Sequence, residues 1–222
     1  MNNLNILYED NHLVVVEKKA GVLSQGDISS DENLLDMVKS YIKEKYNKPG
    51  EAFIGLVHRL DRNTSGIMVF ARTSKAASRL SLDILEHRFK KSYYAVIEGE
   101  LLGDGHLVDY ISKNEDKKIA YINKDGKKAE LNYHVLETVN NLTLVDVELL
   151  TGRFHQIRIQ FASRNYPLYG DSKYGSKISG NELGLCCYKL GFYHPISKEY
   201  MEFTIEPKDG IFKKFLKFTK SI

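Results

Sequence analysis

Cysteine is scarce in this chain. Two cysteines occur among 222 residues, Cys186 and Cys187, and they are neighbours. Adjacent cysteines rarely pair with each other because disulfide geometry is demanding. A reducing, cytoplasmic setting is the simplest reading. Metal-ligand spacing is missing as well: there is no C-x-x-C, and no two of the seven histidines stand at zinc-motif spacing. Neither a G-x-x-x-x-G-K-[ST] phosphate loop nor a G-x-G-x-x-G fingerprint is present. The opening "MNNLNILYEDNHLVVVEKKAG" lacks the basic start, long apolar run and small-residue cleavage site of a signal peptide. The longest apolar runs fall far short of the roughly 20 residues needed to span a bilayer. Repeats, low-complexity tracts and long linkers are also absent. These absences point to chemistry carried by side chains alone, with no metal, no cofactor and no membrane.

What remains is an ordinary globular composition. Hydrophobic residues make up 42% and charged residues 27%, enough for a sizeable core and too apolar for disorder. The length suits one domain, or one large domain with a small lobe. Lys plus Arg is 32 against 29 for Asp plus Glu, a net charge of +3. So mild a balance says little about a nucleic-acid partner; the placement of the charge matters more.

Along the chain, "LNILYEDNHLVVVEKKAG" reads as two strands joined at Asp10-Asn11. Asp31 to Tyr46 reads as a helix, with Leu34, Leu35, Val38, Tyr41, Ile42 and Lys45 at three-to-four spacing. Phe53 to Val57 and Ile67 to Arg72 read as strands, and Ser74 to Arg88 as a helix. "KKSYYAVIEGE" alternates like a strand. "IAYINKDGKKAELNYHVLE" reads as a hairpin around Lys124-Asp125-Gly126, since Asp-Gly favours a tight turn. "LTLVDVELLTG" is a further strand. "RFHQIRIQFASRN" fits a helix stopped at Asn165, with Pro167 just beyond. Two late strands follow in "LCCYKLGFYHP" and "YMEFTIEP", then a closing helix over Ile211 to Lys220. Helices inserted among strands without strict alternation favour an α+β fold on a mixed, largely antiparallel sheet.

Three clusters hold residues able to do chemistry. In "GLVHRLDRNTSG", Asp61 sits between Arg59 and Arg62, three residues beyond His58. Asp before "NTSG" is ordinarily a turn or cap residue. Flanking cations would also keep it ionised, and an ionised carboxylate can be a nucleophile. In "LLTGRFHQIRIQ", Arg153, His155, Gln156 and Arg158 gather where a helix begins. They form either a solvated basic face or a phosphate seat. In "RFKKSYYAVIEG", Lys90 and Lys91 precede Tyr93 and Tyr94. Neighbouring strand residues face opposite sides, so one tyrosine can be core while the other lines a cleft. Basic residues interleaved with aromatics suit a nucleobase and its phosphates.

Taken together, "HRLDRNTSGIMVFARTSKAA", "KKSYYAVIEG" and "LLTGRFHQIRIQFASRNYPLYGD" resemble the three signature blocks of the RluA-type pseudouridine synthases, in the family's order and spacing. "ILYEDNHLVVVEKKAGVLS" resembles its first hairpin. The resemblance implies the pseudouridine synthase catalytic fold. The implied activity is isomerisation of chosen uridines in ribosomal or transfer RNA. Its implied site has Asp61 as catalytic aspartate, Tyr93 as the aromatic that stacks on the target uracil, and Arg158 as the basic partner of the aspartate. It further implies that Arg59 fills the space left by an extruded base. Extrusion costs a few kcal/mol, to be recovered from later contacts. His58, Arg153, His155, Gln156, Lys90 and Lys91 are the remaining candidates for RNA contact.

Some positions depart from the family's pattern. The usual K-P-x-G is Lys18-Lys19-Ala20-Gly21, Phe154 replaces a Thr or Ser, and Asn165-Tyr166-Pro167 replaces Gly-His-Pro. Cys186 and Cys187 stand where Leu-His-Ala is common. These departures bear on RNA specificity, and none removes a catalytic position. The resemblance also leads one to expect a single catalytic domain over 1–222, acting as a cytoplasmic monomer without a separate N-terminal RNA-binding domain. Two rival readings are a catalytically silent RNA-binding module on the same fold and a metal-dependent nucleic-acid hydrolase using Asp61. Retention of Asp61, Tyr93 and Arg158 together argues against the first. The lack of a second carboxylate clustered near Asp61 argues against the other.

Overall fold

A computed structural model describes residues 4–27, 31–47, 49–178, 182–207, 210–215 and 217. The fold is α+β, as expected, with a largely antiparallel sheet and, among the described residues, three α-helices. The chain forms two compact units. The first comprises Met1–Phe89 with Lys189–Ile205, and the second Lys90–Tyr188 with Glu206–Ile222.

In the first unit, β1 (Asn5–Glu9) and β2 (Leu13–Lys18) form the hairpin expected around Asp10-Asn11. Asp10 Oδ1 accepts the backbone N–H groups of His12 and Leu13, both at 2.7 Å, which fixes the turn. Helix α1 runs over Leu34–Lys45, starting three residues later than Asp31. Asn33 is the reason: its side chain accepts the Asp36 N–H at 3.1 Å and caps the helix. Strand β3 shrinks to Gly55–Leu56, whereas β4 covers Ser65–Ala71. Strand β2 pairs with β4 from Leu13↔Ala71 to Lys18↔Gly66. Helix α2 (Ser74–Leu85) is capped by Thr73 and buries Ala76 and Leu80. These pack with Leu13, Val15, Ile67 and Val69 in the unit's core. Burying a side chain such as Leu80 contributes about 1.5–3 kcal/mol.

In the second unit the strand order is β5-β9-β8-β6-β7, all antiparallel. The strands are β5 (Lys90–Glu98), β6 (Gly105–Asn114), β7 (Ile119–Ile122), β8 (Lys127–Val139) and β9 (Leu142–Leu149). The hairpin expected around Lys124-Asp125-Gly126 does not form. Both β7 and β8 pair with β6 instead, and the turn between them sits at Ile111, which is in register with Ile122 on one side of it and Lys127 on the other. A Cβ at Gly126 would lie 2.6 Å from the Ile111 carbonyl carbon, so only glycine allows this approach. Helix α3 (Gln156–Ala162) lies against one face of this sheet: Phe161 meets Tyr133 edge-on at 5.4 Å, and Gln160 donates to Asp109 at 2.8 Å. Asn165, at φ 66°, ends the helical run as its sequence predicts.

Strand β10 (Leu185–Tyr193) starts in the second unit and ends in the first, where Lys189–Tyr193 pairs with β11 (Tyr200–Thr204). The expected closing helix is a 3₁₀ segment over Gly210–Lys214, and part of its range lies outside the described residues. No helix among the described residues is long and apolar enough to cross a membrane.

Candidate active site

The first unit carries His58, Arg59 and Asp61 on the loop between β3 and β4. Main-chain ties build this loop. The buried Ser24 hydroxyl donates to the Leu60 carbonyl at 2.6 Å and accepts the Leu60 N–H at 3.1 Å. Leu60 itself is buried, and Thr64 donates its N–H to the Asp61 carbonyl at 3.1 Å, closing a turn. Anchored on both sides, Asp61 is held half-buried while Arg59 extends into solvent. His58 turns inward. Its Nε2 accepts the Val69 N–H at 3.1 Å and its ring lies 5.2 Å from that of Phe89. That nitrogen cannot donate to a phosphate while it accepts from Val69.

Lys18, the last residue of β2, is fully buried beneath this loop and was not singled out by its residue type. Its ammonium donates to the carbonyls of Val22 at 2.6 Å, Arg62 at 2.8 Å and Lys19 at 3.1 Å. Burial pushes the Lys18 ammonium down to about 7, opposed by the Asp61 carboxylate and reinforced by the Arg62 charge. Arg62 turns outward to Asp31 at 2.8 Å, and its Nε donates to the Gly21 carbonyl at 3.1 Å. Asp61 therefore sits in the field of a buried cation that bonds only carbonyls. The signal was present in "EKKAG", but no rule of composition or spacing marks a lysine at a strand end as buried.

The second unit carries the other candidates. Tyr93 is buried on β5 opposite Val147, which is itself opposite Tyr133. Cross-strand partners share a face, and Tyr133 meets α3, so Tyr93 is on the α3 side of the sheet. Tyr94 faces the other way. It stacks on Tyr188 at 3.7 Å, and Tyr188 donates to the Asp146 carboxylate at 3.0 Å. Both tyrosines are buried, each in a different environment, as strand alternation requires.

Arg158, in the first turns of α3, is 9% exposed and grips Asp171 through two bonds of 2.7 Å, Nε to Oδ2 and Nη2 to Oδ1. Its guanidinium carbon also lies 5.0 Å from the centre of the Tyr174 ring. Gln156 is buried and serves the turn before the helix. Its Oε1 accepts from Thr151 at 2.8 Å and from the Arg153 N–H at 2.9 Å, and its Nε2 donates to the Glu130 carbonyl at 3.0 Å. The Arg153 side chain is tethered by Nε to the Lys128 carbonyl at 2.8 Å. His155 adopts a left-handed backbone at φ 50° and shares a 2.7 Å hydrogen bond with the Tyr174 hydroxyl. Phe154 stacks on the His155 ring at 3.8 Å, and Lys113 lies 4.9 Å over Phe154. Lys90 is exposed. Burial pushes the Lys91 ammonium down, and a Cβ on Gly152 would come within 3.2 Å of its Nζ. Asp171 closes the block "LLTGRFHQIRIQFASRNYPLYGD" and Tyr174 lies just past it, and neither residue type in sequence marks a partner of Arg158.

Comparisons with known proteins bear on the chain as a whole. A family model described as RNA pseudouridylate synthase matches residues 12–163. An uncharacterized RNA pseudouridine synthase of Aquifex aeolicus is 36% identical over 220 residues, covering 91% of this chain and 69% of that protein. Ribosomal large subunit pseudouridine synthase D of Zymomonas mobilis is 32% identical over 222 residues, covering 93% of this chain and 70% of that one. In fold, the solved structure of human RNA Pseudouridylate Synthase Domain Containing 4 matches with a TM-score of 0.75 at 22% identity, over 91% of this chain and 88% of that one.

Proposed function

The chain belongs to the RNA pseudouridylate synthase family, and from that premise we propose that it isomerises selected uridines of ribosomal RNA in the cytoplasm, with Asp61 as the nucleophile. The enzyme class, RNA pseudouridine synthase, follows from the family. Ribosomal RNA is the substrate favoured by the names of relatives such as the Zymomonas mobilis synthase D. In this reading the Asp61 carboxylate adds to the ribose C1′ as the bond to uracil N1 breaks and its electron pair leaves with the base. The uracil turns, and C5 attacks C1′, expelling the carboxylate. The C5 hydrogen leaves as a proton and N1 takes one up. Substrate and product are isomers, so the step consumes no oxidant, reductant or activated donor.

The observation that carries the reading is the H-R-L-D loop itself. Its backbone is clamped by Ser24, its carboxylate sits in the field of buried Lys18, and Arg59 is exposed two residues away. A loop so held can present one carboxylate with little reorganisation during reaction. Arg59 suits the role of filling the space vacated by a flipped base, which costs a few kcal/mol to extrude. Tyr93 takes the stacking role and Arg158 the role of basic partner, as the motifs suggest. Arg153, His155 and Lys90 serve the RNA backbone.

The test is to map pseudouridines in ribosomal and transfer RNA from a strain lacking the chain. One or more large-subunit ribosomal positions should revert to uridine, and return with the wild-type gene but not with Asp61→Asn. Losses confined to transfer RNA would move the substrate assignment. Unchanged maps in both RNAs would overturn it.

A further inference from the structure

Asp171 is a carboxylate, 3% exposed, whose oxygens are both taken up by Arg158. A guanidinium can be buried at tolerable cost only when a partner neutralises it and matches its fork. Here the match is two parallel bonds of 2.7 Å. Tyr174 supports the flat face of the same guanidinium, and its hydroxyl is itself anchored by His155 and by the Ala120 N–H at 2.6 Å. The segment that carries both residues is rigid. The Asp171 carbonyl accepts the N–H groups of Tyr174 at 3.0 Å and Ser176 at 3.1 Å. Gly170 just before it has φ 73°, and a Cβ there would lie 1.8 Å from the Glu182 carbonyl oxygen. A tightly built turn thus delivers one carboxylate and one aromatic face to a single arginine.

We propose that Asp171 is a positioning residue for the isomerisation: it grips Nε and Nη2 of Arg158 while Tyr174 supports the guanidinium face, so that the guanidinium is held in one orientation for the step in which Arg158 acts. The inference rests on the reading that Arg158 takes part in chemistry. The alternative is that the pair only stabilises the fold around α3. The two differ in a kinetic signature. A positioning residue acts through Arg158, so its loss should cost nothing further once Arg158 is gone. A pair that only supports the fold should instead lower the melting temperature while the folded single variants keep near wild-type rates at saturating RNA.

The experiment measures single-turnover pseudouridine formation at saturating RNA for wild type, Asp171→Asn, Arg158→Met and the double variant, with RNA affinity measured separately. Asp171→Asn is expected to slow the rate about 10–100-fold with RNA affinity changed less than about threefold, as for groups that orient a neighbour of the reacting centre. In the Arg158→Met background the same change should alter the rate by less than about twofold. Because unpairing a buried charge can unfold a protein, Asp171→Glu is measured alongside. It retains the charge but displaces the fork by one methylene, and should slow the rate while the melting temperature holds. Equal losses in both backgrounds, or wild-type rates for Asp171→Asn and Asp171→Glu beside a slow Arg158→Met, would overturn this inference alone. A wild-type rate for Arg158→Met would overturn the underlying assignment, and this inference with it.

Discussion

The two units hold their key ionisable groups by different means. In the first, the loop of Asp61 is fixed by its main chain: Ser24 clamps Leu60, and Lys18 is spent on the carbonyls of Val22, Arg62 and Lys19. In the second, Arg158 is fixed by a side chain 13 residues further on, Asp171. The buried lysine bonds no carboxylate and its ammonium is pushed down to about 7, whereas the buried arginine is neutralised by a matched fork. Each device suits its residue. An ammonium is a compact point charge that several carbonyls can surround, and it can give up its proton when desolvated. A guanidinium stays charged and needs a planar acceptor. The lesson is that the carboxylate's position depends on loop backbone, while the arginine's depends on one distant residue.

Five substitutions break or sharpen this contrast, and the largest effect is expected at Asp61. Asp61→Asn should lower single-turnover pseudouridine formation at least ~10³-fold, as loss of a nucleophile does, while folding and RNA binding persist. Near wild-type turnover would remove Asp61 from the chemistry. Next comes the pair on the α3 block. Arg158→Met should slow the same step about 10²-fold, the scale for losing a preorganised charged group. Arg153→Met should instead weaken binding a few-fold and reduce the salt dependence of affinity by about one charge. Equal kinetic losses at both positions would contradict the division.

The fourth substitution is Ser24→Ala, which strands both polar groups of buried Leu60. It should destabilise the protein by about 1–3 kcal/mol, read by chemical denaturation. An unchanged midpoint would mean that the loop is held by something else. The smallest effect is a slope. Lys18 titrates lower in the folded chain than in the unfolded one, whose pKa is the ordinary lysine value of 10.5. Between about 7 and that value the unfolded state binds the extra proton, so stability should rise with pH across the window, by about 1 kcal/mol per unit. Below about 7 both states are protonated and the slope vanishes. Subtracting the stability curve of Lys18→Met from that of wild type isolates it. A flat difference from pH 7 to 9.5 would contradict the buried, depressed ammonium.

Much of this was legible in the sequence, for physical reasons. Local turn chemistry at Asp10 and Asn165 set real boundaries, while Asp61, Tyr93 and Arg158 were nominated by the resemblance of their motif blocks. Strand β6 escaped because apolar residues stand on both of its faces: Leu107 and Ile111 are buried on the side of Asp109. Val108 and Tyr110 point to solvent at 41% and 46% exposure, while Asp109 faces α3 and bonds Gln160 and Arg164. With apolar residues on both faces and a carboxylate on the buried one, alternation gives no clear strand signal. The Asp-Gly turn was read rightly as a turn and wrongly as a hairpin, since turn residues do not say which strand the chain returns to. Asp171 and Lys18 were hidden for a related reason: burial of a charge is decided by tertiary partners that composition and spacing do not reveal.

Release of tritium from RNA labelled at C5 of uridine tests the central claim most directly, because forming the new bond at C5 must free that hydrogen. Purified chain mixed with such RNA should release tritium in step with the pseudouridine found after digestion to nucleosides. No release from ribosomal or transfer RNA lacking the modification, or release without pseudouridine, would contradict the account.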